Sequence, residues 1–186
     1  YAKIIPMADR LCYSASMTWS HVYCKVVEED LDIALTAAKV TDYCDYCDDK
    51  GNPLKAPNVV DIASLTSRMI GDRTGNGKWY IAYGTNTIGT LVVNGEANLI
   101  LADGAKLTAN GDAEKAGIMV TDGNTLRIWG QALGSGKLEA NGDVWGGAGI
   151  GGGYESDSGT VEINGGMVTA TGNGGAGLGG GGLGTG

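Results

Sequence analysis

A glycine-rich octapeptide that occurs twice constrains this chain more than any other feature. Its copies are GGAGIGGG at 146–153 and GGAGLGGG at 174–181, 28 residues apart. The segment between them, TVEINGGMVTATG (160–172), alternates apolar and polar residues as two short strands do. A repeat of this length built from short strands is typical of a β-solenoid in which each copy forms one turn.

Short strand-like segments fill the chain from about residue 88 onward. Each is followed by Gly or Asn, which tolerate a positive φ and therefore favour a sharp corner. The segments are LVVNG (91–95), NLILADG (98–104), KLTANG (106–111), GIMVTDG (117–123), TLRIWG (125–130), KLEANG (137–142), TVEING (160–165) and MVTATG (167–172).

These segments align with one another. GAKLTANGD, SGKLEANGD and GGMVTATGN superpose with Leu107, Leu138 and Val168 at their centres, 31 and 30 residues apart. TLRIWG and TVEING form a second set, 35 residues apart. An antiparallel meander is the alternative, because Asn-Gly also favours hairpins, but a meander needs no long-period repeat. We therefore expect a mainly β protein: a right-handed parallel β-helix with Leu, Ile, Val and Ala in inward columns.

The first 77 residues have a different composition and predict a small mixed α/β cap domain before a solenoid at 78–186. We expect Ile150 and Leu178, within the glycine repeats, to point inward. The elements predicted before the solenoid are a strand at 18–27, a helix at 28–40, a loop at 42–57, a second helix at 58–70 capped by Asn58 with Val59, Ile62, Ala63 and Met69 inward, and a strand at 79–83.

All four cysteines, Cys12, Cys24, Cys44 and Cys47, lie in the first part of the chain. Cys44 and Cys47 form a C-x-x-C pair without the second close pair of a zinc ribbon or the βαβ context of a thioredoxin site. We expect two structural disulfides, one each from Cys12 and Cys24 to Cys44 or Cys47. Zinc bound with His21, or unpaired thiols, are the alternatives, and we predict no metal and no cofactor.

The net charge of −8 and the pI near 4.5 argue against some partners. Nucleic acids and anionic membrane surfaces require a basic face. No apolar run approaches the roughly 20 residues that span a bilayer, so we expect no membrane insertion in this segment. The chain begins at Tyr1 rather than Met, and we interpret it as a processed or trimmed product.

The later part of the chain resembles a known family. The ordered segments NLILADGAKLTANG (98–111), DGNTLRIWGQALGSGKLEANG (122–142), GGAGIGGG (146–153) and SGTVEINGGMVTATGNGGAGLGGG (158–181) are similar to those of secreted repeat proteins of gut and oral Gram-positive bacteria. The resemblance covers about the last hundred residues. It implies a parallel β-helix and a surface adhesin or carbohydrate-binding role outside the cell. Members carry more GAGIGGG units, which implies a longer parent protein.

Few residues suggest chemistry. Asp103, Asp112, Asp122 and Asp143 each lie next to a glycine in a turn, where a turn-forming role is the simpler interpretation. His21 is the only histidine, so no Ser/His/Asp or Cys/His arrangement can be assembled and we expect no enzyme. GGAGIGGG lacks the Lys-Ser/Thr of a phosphate-binding P-loop.

Aromatic residues in or beside the solenoid loops are the remaining candidates. Trp129, Trp145 and Tyr154 could stack on sugar rings, or could cap apolar columns instead. We expect an extracellular adhesin or glycan-binding stalk whose partner is a glycan or a host-surface ligand. The alternatives are a structural subunit that self-associates through solenoid ends into a bacterial or phage fibre, and a β-helix polysaccharide-degrading enzyme.

Overall fold

The computed structural model describes residues 4–6, 24–26, 43–75 and 77–185. The chain divides into two compact units, one of Tyr1–Asp45 with Lys55–Val59 and one of Tyr46–Leu54 with Val60–Gly186. The protein is mainly β, as predicted. The only helical element among the described residues is a short 3-10 turn at Ile62–Ser64.

The described residues form eighteen strands. In chain order they are β1 Ile4–Pro6, β2 Cys24–Val26, β3 Tyr43–Cys47, β4 Pro53–Pro57, β5 Val60–Asp61, β6 Met69–Ile70, β7 Lys78–Ala82, β8 Thr85–Ile88, β9 Leu91–Val93, β10 Glu96–Leu101, β11 Lys106–Asn110, β12 Ile118–Met119, β13 Thr125–Gly130, β14 Lys137–Asn141, β15 Ile150–Gly151, β16 Thr160–Ile163, β17 Met167–Thr171 and β18 Leu178–Gly179.

In the first unit, β1 and β2 pair antiparallel, with Ile4 opposite Val26 and Pro6 opposite Cys24. Strand β2 covers the end of the strand predicted at 18–27. The remainder of that strand and the helix predicted at 28–40 lie outside the described residues.

The second unit contains three sheets of parallel strands. The first sheet holds β5, β7, β10, β13 and β16; the second holds β8, β11, β14 and β17; the third holds β6, β9, β12, β15 and β18. The chain visits the sheets in this order again and again, and we call each passage a circuit. Circuit one contributes β5 and β6, and circuits two to five contribute three strands each.

The register matches the internal sequence alignment. Leu107 lies opposite Leu138, and Leu138 lies opposite Val168. Thr125 lies opposite Thr160, so TLRIWG and TVEING also stack as aligned. Alternate residues of each strand point inward and form the core, whose largest fully buried members are Ile70, Ile81, Leu91, Leu99, Ile100, Leu101, Leu107, Ile118, Leu126, Ile128, Leu138 and Ile150.

The third sheet is made of two-residue strands whose backbones approach closely, and this explains the glycine repeat. Gly151 has a φ of +136°, and a Cβ there would collide with the carbonyl oxygen of Gly179. A Cβ on Gly149 would lie 2.6 Å from the carbonyl oxygen of Gly177. Any larger residue would push the circuits apart, so the repeat encodes close stacking.

Ile150 points inward and is fully buried, as predicted. Leu178 lies opposite it in the next circuit but is 49% exposed. The prediction of a buried Leu178 is therefore wrong, because no described strand lies beyond β18 to cover it.

The helix predicted at 58–70 is also wrong. Asn58 has a φ of +50°, whereas a helix N-cap has an extended backbone. Asp61 instead caps the single 3-10 turn by accepting a hydrogen bond from the backbone N–H of Ala63 (2.9 Å). Met69 is half exposed and Ile70 is buried, as expected for neighbours in a strand.

The loop predicted at 42–57 contains strands β3 and β4 on either side of a tight turn. The Asp48 carboxylate accepts hydrogen bonds from the backbone N–H groups of Lys50 (2.9 Å) and Asn52 (2.8 Å). Gly51 has a φ of +81°. The polar residues that suggested a loop form only this turn. By contrast, the strand predicted at 79–83 is confirmed as β7.

Substituting two glycines that both have a positive φ should separate backbone strain from close packing. Gly123→Ala places a methyl group where no atom lies within 4 Å, so we expect a loss of only about 1–2 kcal/mol. Gly151→Ala adds a collision with the backbone of Gly179 and should cost roughly 3 kcal/mol or more. Urea unfolding followed by circular dichroism measures both, and equal losses would contradict the close-packing explanation.

Candidate functional site

The most exposed aromatic residues of the second unit lie in the loops that flank the third sheet. Trp145, in the loop from β14 to β15, is 70% exposed, and Tyr154, in the loop after β15, is 39% exposed. Val144 and Leu183 are exposed in the same loops. We call Val144, Trp145, Tyr154 and Leu183 the aromatic surface.

The ring of Tyr154 rests on a floor of glycine backbone. A Cβ on Gly146 would lie 2.7 Å from Cδ2 of Tyr154, and one on Gly182 would lie 3.4 Å from the same atom. The backbone N–H of Gly182 donates to the carbonyl of Gly146 (2.7 Å), which ties the two loops together. The backbone N–H of Tyr154 donates to the carbonyl of Glu114 (2.7 Å). Tyr154 is thus held in place from below while its outer side remains exposed.

Asp143 anchors the loop that carries Trp145. Its carboxylate accepts a hydrogen bond from the backbone N–H of Glu114 (3.0 Å), one circuit earlier. That bond, with further ones from the backbone N–H groups of Val144 and Trp145, holds the pKa of Asp143 below its ordinary value. The charged carboxylate therefore fixes the backbone of Trp145 at neutral pH.

Polar side chains surround the aromatic surface. Glu114 and Glu155 are exposed and have left-handed backbones, with φ values of +67° and +54°. Lys115 forms an exposed ion pair with Asp112 (3.4 Å). The surface therefore combines apolar ring faces with carboxylate oxygens, which can accept hydrogen bonds from hydroxyl groups.

Trp129 lies elsewhere, on the outer face of the first sheet. Its ring centroid is 5.0 Å from that of Tyr46 and 5.9 Å from that of Trp79. Its indole N–H donates to Oδ1 of the buried Asn98 (3.1 Å). Trp129 therefore does not form one cluster with Trp145 and Tyr154.

Sequence reasoning missed the partners of Trp129. The centroids of Tyr46 and Trp79 are 4.6 Å apart, and burial together with the negative charge of Asp48 raises the pKa of the Tyr46 hydroxyl. Trp79 lies in β7 opposite Asn98, two strands away from Trp129. The strand register could have indicated the proximity of the two tryptophans, but no sequence pattern places Tyr46 over them.

A charged column runs across the outer face of the first sheet. Arg127 forms ion pairs with Glu96 (2.9 Å) and Glu162 (3.0 Å), the residues of the strands on either side. The hydrogen bond to Glu96 is the main cause of the raised pKa of Arg127. Each cross-strand pair of this kind contributes roughly 0.2–1 kcal/mol, so the column supports the register more than it suggests a site.

The aspartates that sequence analysis assigned to turns do form turn contacts. Asp103 accepts hydrogen bonds from the backbone N–H groups of Leu133 (2.9 Å) and Ser135 (3.2 Å) in the next circuit. Asp122 accepts one from the N–H of Gly123 (2.9 Å). Among the described residues, no group of three or more His, Cys, Asp or Glu side chains is arranged to hold a metal ion.

The cysteine predictions can be examined only at Cys47, whose backbone bridges Gly130 of β13. Its sulfur is a thiol rather than half of a disulfide, so the structure gives no support to a disulfide at this position. The side chains of Cys12, Cys24 and Cys44 lie outside the described residues, where disulfide formation stays a prediction. In the described part of the chain, no helix has the length and apolar character needed to cross a membrane.

Comparison with known proteins yields no relative. No protein-family model, no curated protein and no solved structure matches this chain. The resemblance to glycine-rich repeat adhesins therefore remains an expectation from the sequence motifs.

Titration of Asp143 should report on the loop that carries Trp145. Because the folded pKa is lowered, the carboxylate contacts stabilise the loop above the unfolded pKa of about 3.9 and are lost as the pH falls through the lower folded value. We expect the amide signals of Glu114 and Trp145 to shift together below about pH 3.9 in an NMR titration. Asp143→Asn is the control and should abolish that shift, whereas a midpoint above 3.9 would contradict the anchoring role.

Proposed function

We propose that this protein is a non-enzymatic extracellular adhesin or carbohydrate-binding protein, with a right-handed parallel β-helix as its scaffold and Trp145 and Tyr154 as its contact with sugar rings. The observation that carries the proposal is the exposed tryptophan beside a tyrosine held on a glycine floor. The partner is a glycan on a cell or host surface.

The scaffold part of the proposal is supported by the strand order. Parallel strands return to the same sheet once per circuit, with the same register in each step. Connections between parallel strands of one sheet are right-handed in about 98% of cases. A β-helix presents its loops on a rigid frame, which suits a binding surface that does not rearrange.

The ligand part is supported by exposure and rigidity together. An exposed tryptophan at the surface of a protein costs solubility, and clustered exposed apolar groups mark interaction sites. Tyr154 loses little entropy on binding because its ring already rests against Gly146 and Gly182. We place the sugar at these residues rather than at Trp129, whose ring already contacts Tyr46 and Trp79.

Removing the exposed indole should abolish most glycan binding. Screening the protein on a glycan array identifies a ligand, and isothermal titration calorimetry then compares variants. Trp145→Ala should weaken binding roughly tenfold or more, because a central aromatic contact usually dominates an interface. Val144→Ala removes a neighbouring side chain that is 63% exposed and serves as the control, with little expected change. Unchanged binding by Trp145→Ala would refute the site.

A second candidate function, assembly into a fibre, is favoured by the exposure of circuit five. Ile163 and Leu178 are 47% and 49% exposed, although their equivalents Ile128 and Ile150 are fully buried. Strands β16, β17 and β18 also present edges that no described strand covers, and such edges favour pairing with another chain. A second copy or further circuits would bury these residues.

Light scattering over a range of concentrations tests the assembly candidate. The protein should form species larger than a monomer, and the double substitution Ile163→Lys with Leu178→Lys should keep it monomeric by placing charges on the uncovered edge. Leu133→Lys, at a loop residue that is 80% exposed, is the control and should not alter assembly. A monomer at all concentrations would exclude self-association of this chain.

A further inference from the structure

The second sheet is one strand short of the other two. Circuit one supplies β5 to the first sheet and β6 to the third, but the second sheet begins only with β8 in circuit two. Between β5 and β6 the chain forms the 3-10 turn Ile62–Ser64 and continues through residues 65–68 without a strand. A vacancy of one strand therefore lies beside β8.

The edge of β8 that faces this vacancy carries backbone groups ready to pair. The N–H of Lys106 in β11 donates to the carbonyl of Gly84 (2.7 Å). Backbone groups alternate in direction along a strand, so the N–H and C=O groups of Thr85 and Thr87 point away from β11. No strand among the described residues pairs with them.

A cavity of about 260 Å³ lies at the same place. It is smaller than the roughly 300–1,000 Å³ of typical small-molecule pockets, and it suits one or two side chains instead. The residues that line it are mainly apolar on one side and polar on the other: Ile62, Ala63, Leu65, Ile88 and Leu91, with Ser67, Arg68, Asn86 and Thr87.

We infer that this vacancy is a docking site for a single extended peptide segment of a partner protein, which adds to the second sheet parallel to β8. Strand addition of this kind takes its affinity from main-chain hydrogen bonds and its specificity from alternate side chains. The end of a second copy does not fit, because β16, β17 and β18 present three strand edges together and the vacancy accepts one strand between β5 and β6.

The register of the sheet specifies the peptide. The residue opposite Ile88 points inward, toward Leu65 and Leu91, and must be apolar. The residue opposite Asn86 is best satisfied by asparagine, because Asn141 stacks on Asn110 in this sheet with an amide hydrogen bond of 2.9 Å.

Arg68 adds a charge preference at the end of the vacancy. It is the only charged residue that lines the cavity, and its guanidinium lies beside Gly89, the residue that follows Ile88. A carboxylate immediately after the apolar peptide residue would reach this guanidinium. The inferred motif is therefore Asn-x-Val-Glu or a close relative, in an extended segment.

Binding of a labelled peptide, acetyl-Ser-Thr-Asn-Thr-Val-Glu-Ser-amide, to the whole chain tests the inference by fluorescence anisotropy. Thr87→Pro removes an N–H that points into the vacancy, and proline is tolerated at such an edge position. We expect at least a tenfold loss of affinity with an unchanged melting temperature. Thr87→Ala keeps the N–H and should bind as the unmodified protein does. Equal binding by Thr87→Pro, or no binding at millimolar peptide, would overturn the inference.

A double-mutant comparison tests the charge preference separately. Arg68→Ala should weaken binding roughly two- to fivefold for the Glu peptide and leave the peptide with Gln in that position unaffected. Equal effects on both peptides would remove Arg68 from the site. Trp145→Ala should not change peptide binding, so this result is independent of the proposed glycan site.

Discussion

Parallel hydrogen bonding in a constant register is the constraint on which the rest of this structure depends. Each strand of the second unit pairs with its equivalent one circuit away, so inward residues such as Leu107, Leu138 and Val168 stack in one column. The short third sheet satisfies the same spacing only with glycine, because backbone atoms occupy the volume of a side chain at Gly149 and Gly151. The core and the loops both follow from this repeated spacing.

The loops are tied between circuits by carboxylates, and this has a functional consequence. Asp103 and Asp143 each accept backbone hydrogen bonds from a neighbouring circuit. Because these contacts use fixed N–H groups, the loops need no packed side chains beneath them. A loop held in this way can place a large aromatic residue such as Trp145 in solvent without losing its conformation.

The two aromatic groups of the second unit differ in what already contacts them. Trp129 shares its surface with Tyr46 and Trp79 and donates its indole N–H to Asn98. Trp145 has most of its surface in water, and its neighbour Tyr154 rests only on glycine backbone. An incoming ring can therefore gain contact area at Trp145, whereas at Trp129 it would compete with contacts already made.

The sequence by itself determined the strand repeat, the register of equivalent segments and the inward position of Ile150, because alternation and Gly-containing corners are local properties. Other features depended on the tertiary structure. Asn58 to Ile70 has apolar spacing that suits a helix, yet parallel pairing of β5 and β6 with the next circuit outweighs that propensity. The cluster of Tyr46 with Trp79 and Trp129 and the missing strand beside β8 join residues far apart in the chain. No local pattern encodes such contacts, since they arise only when the circuits stack.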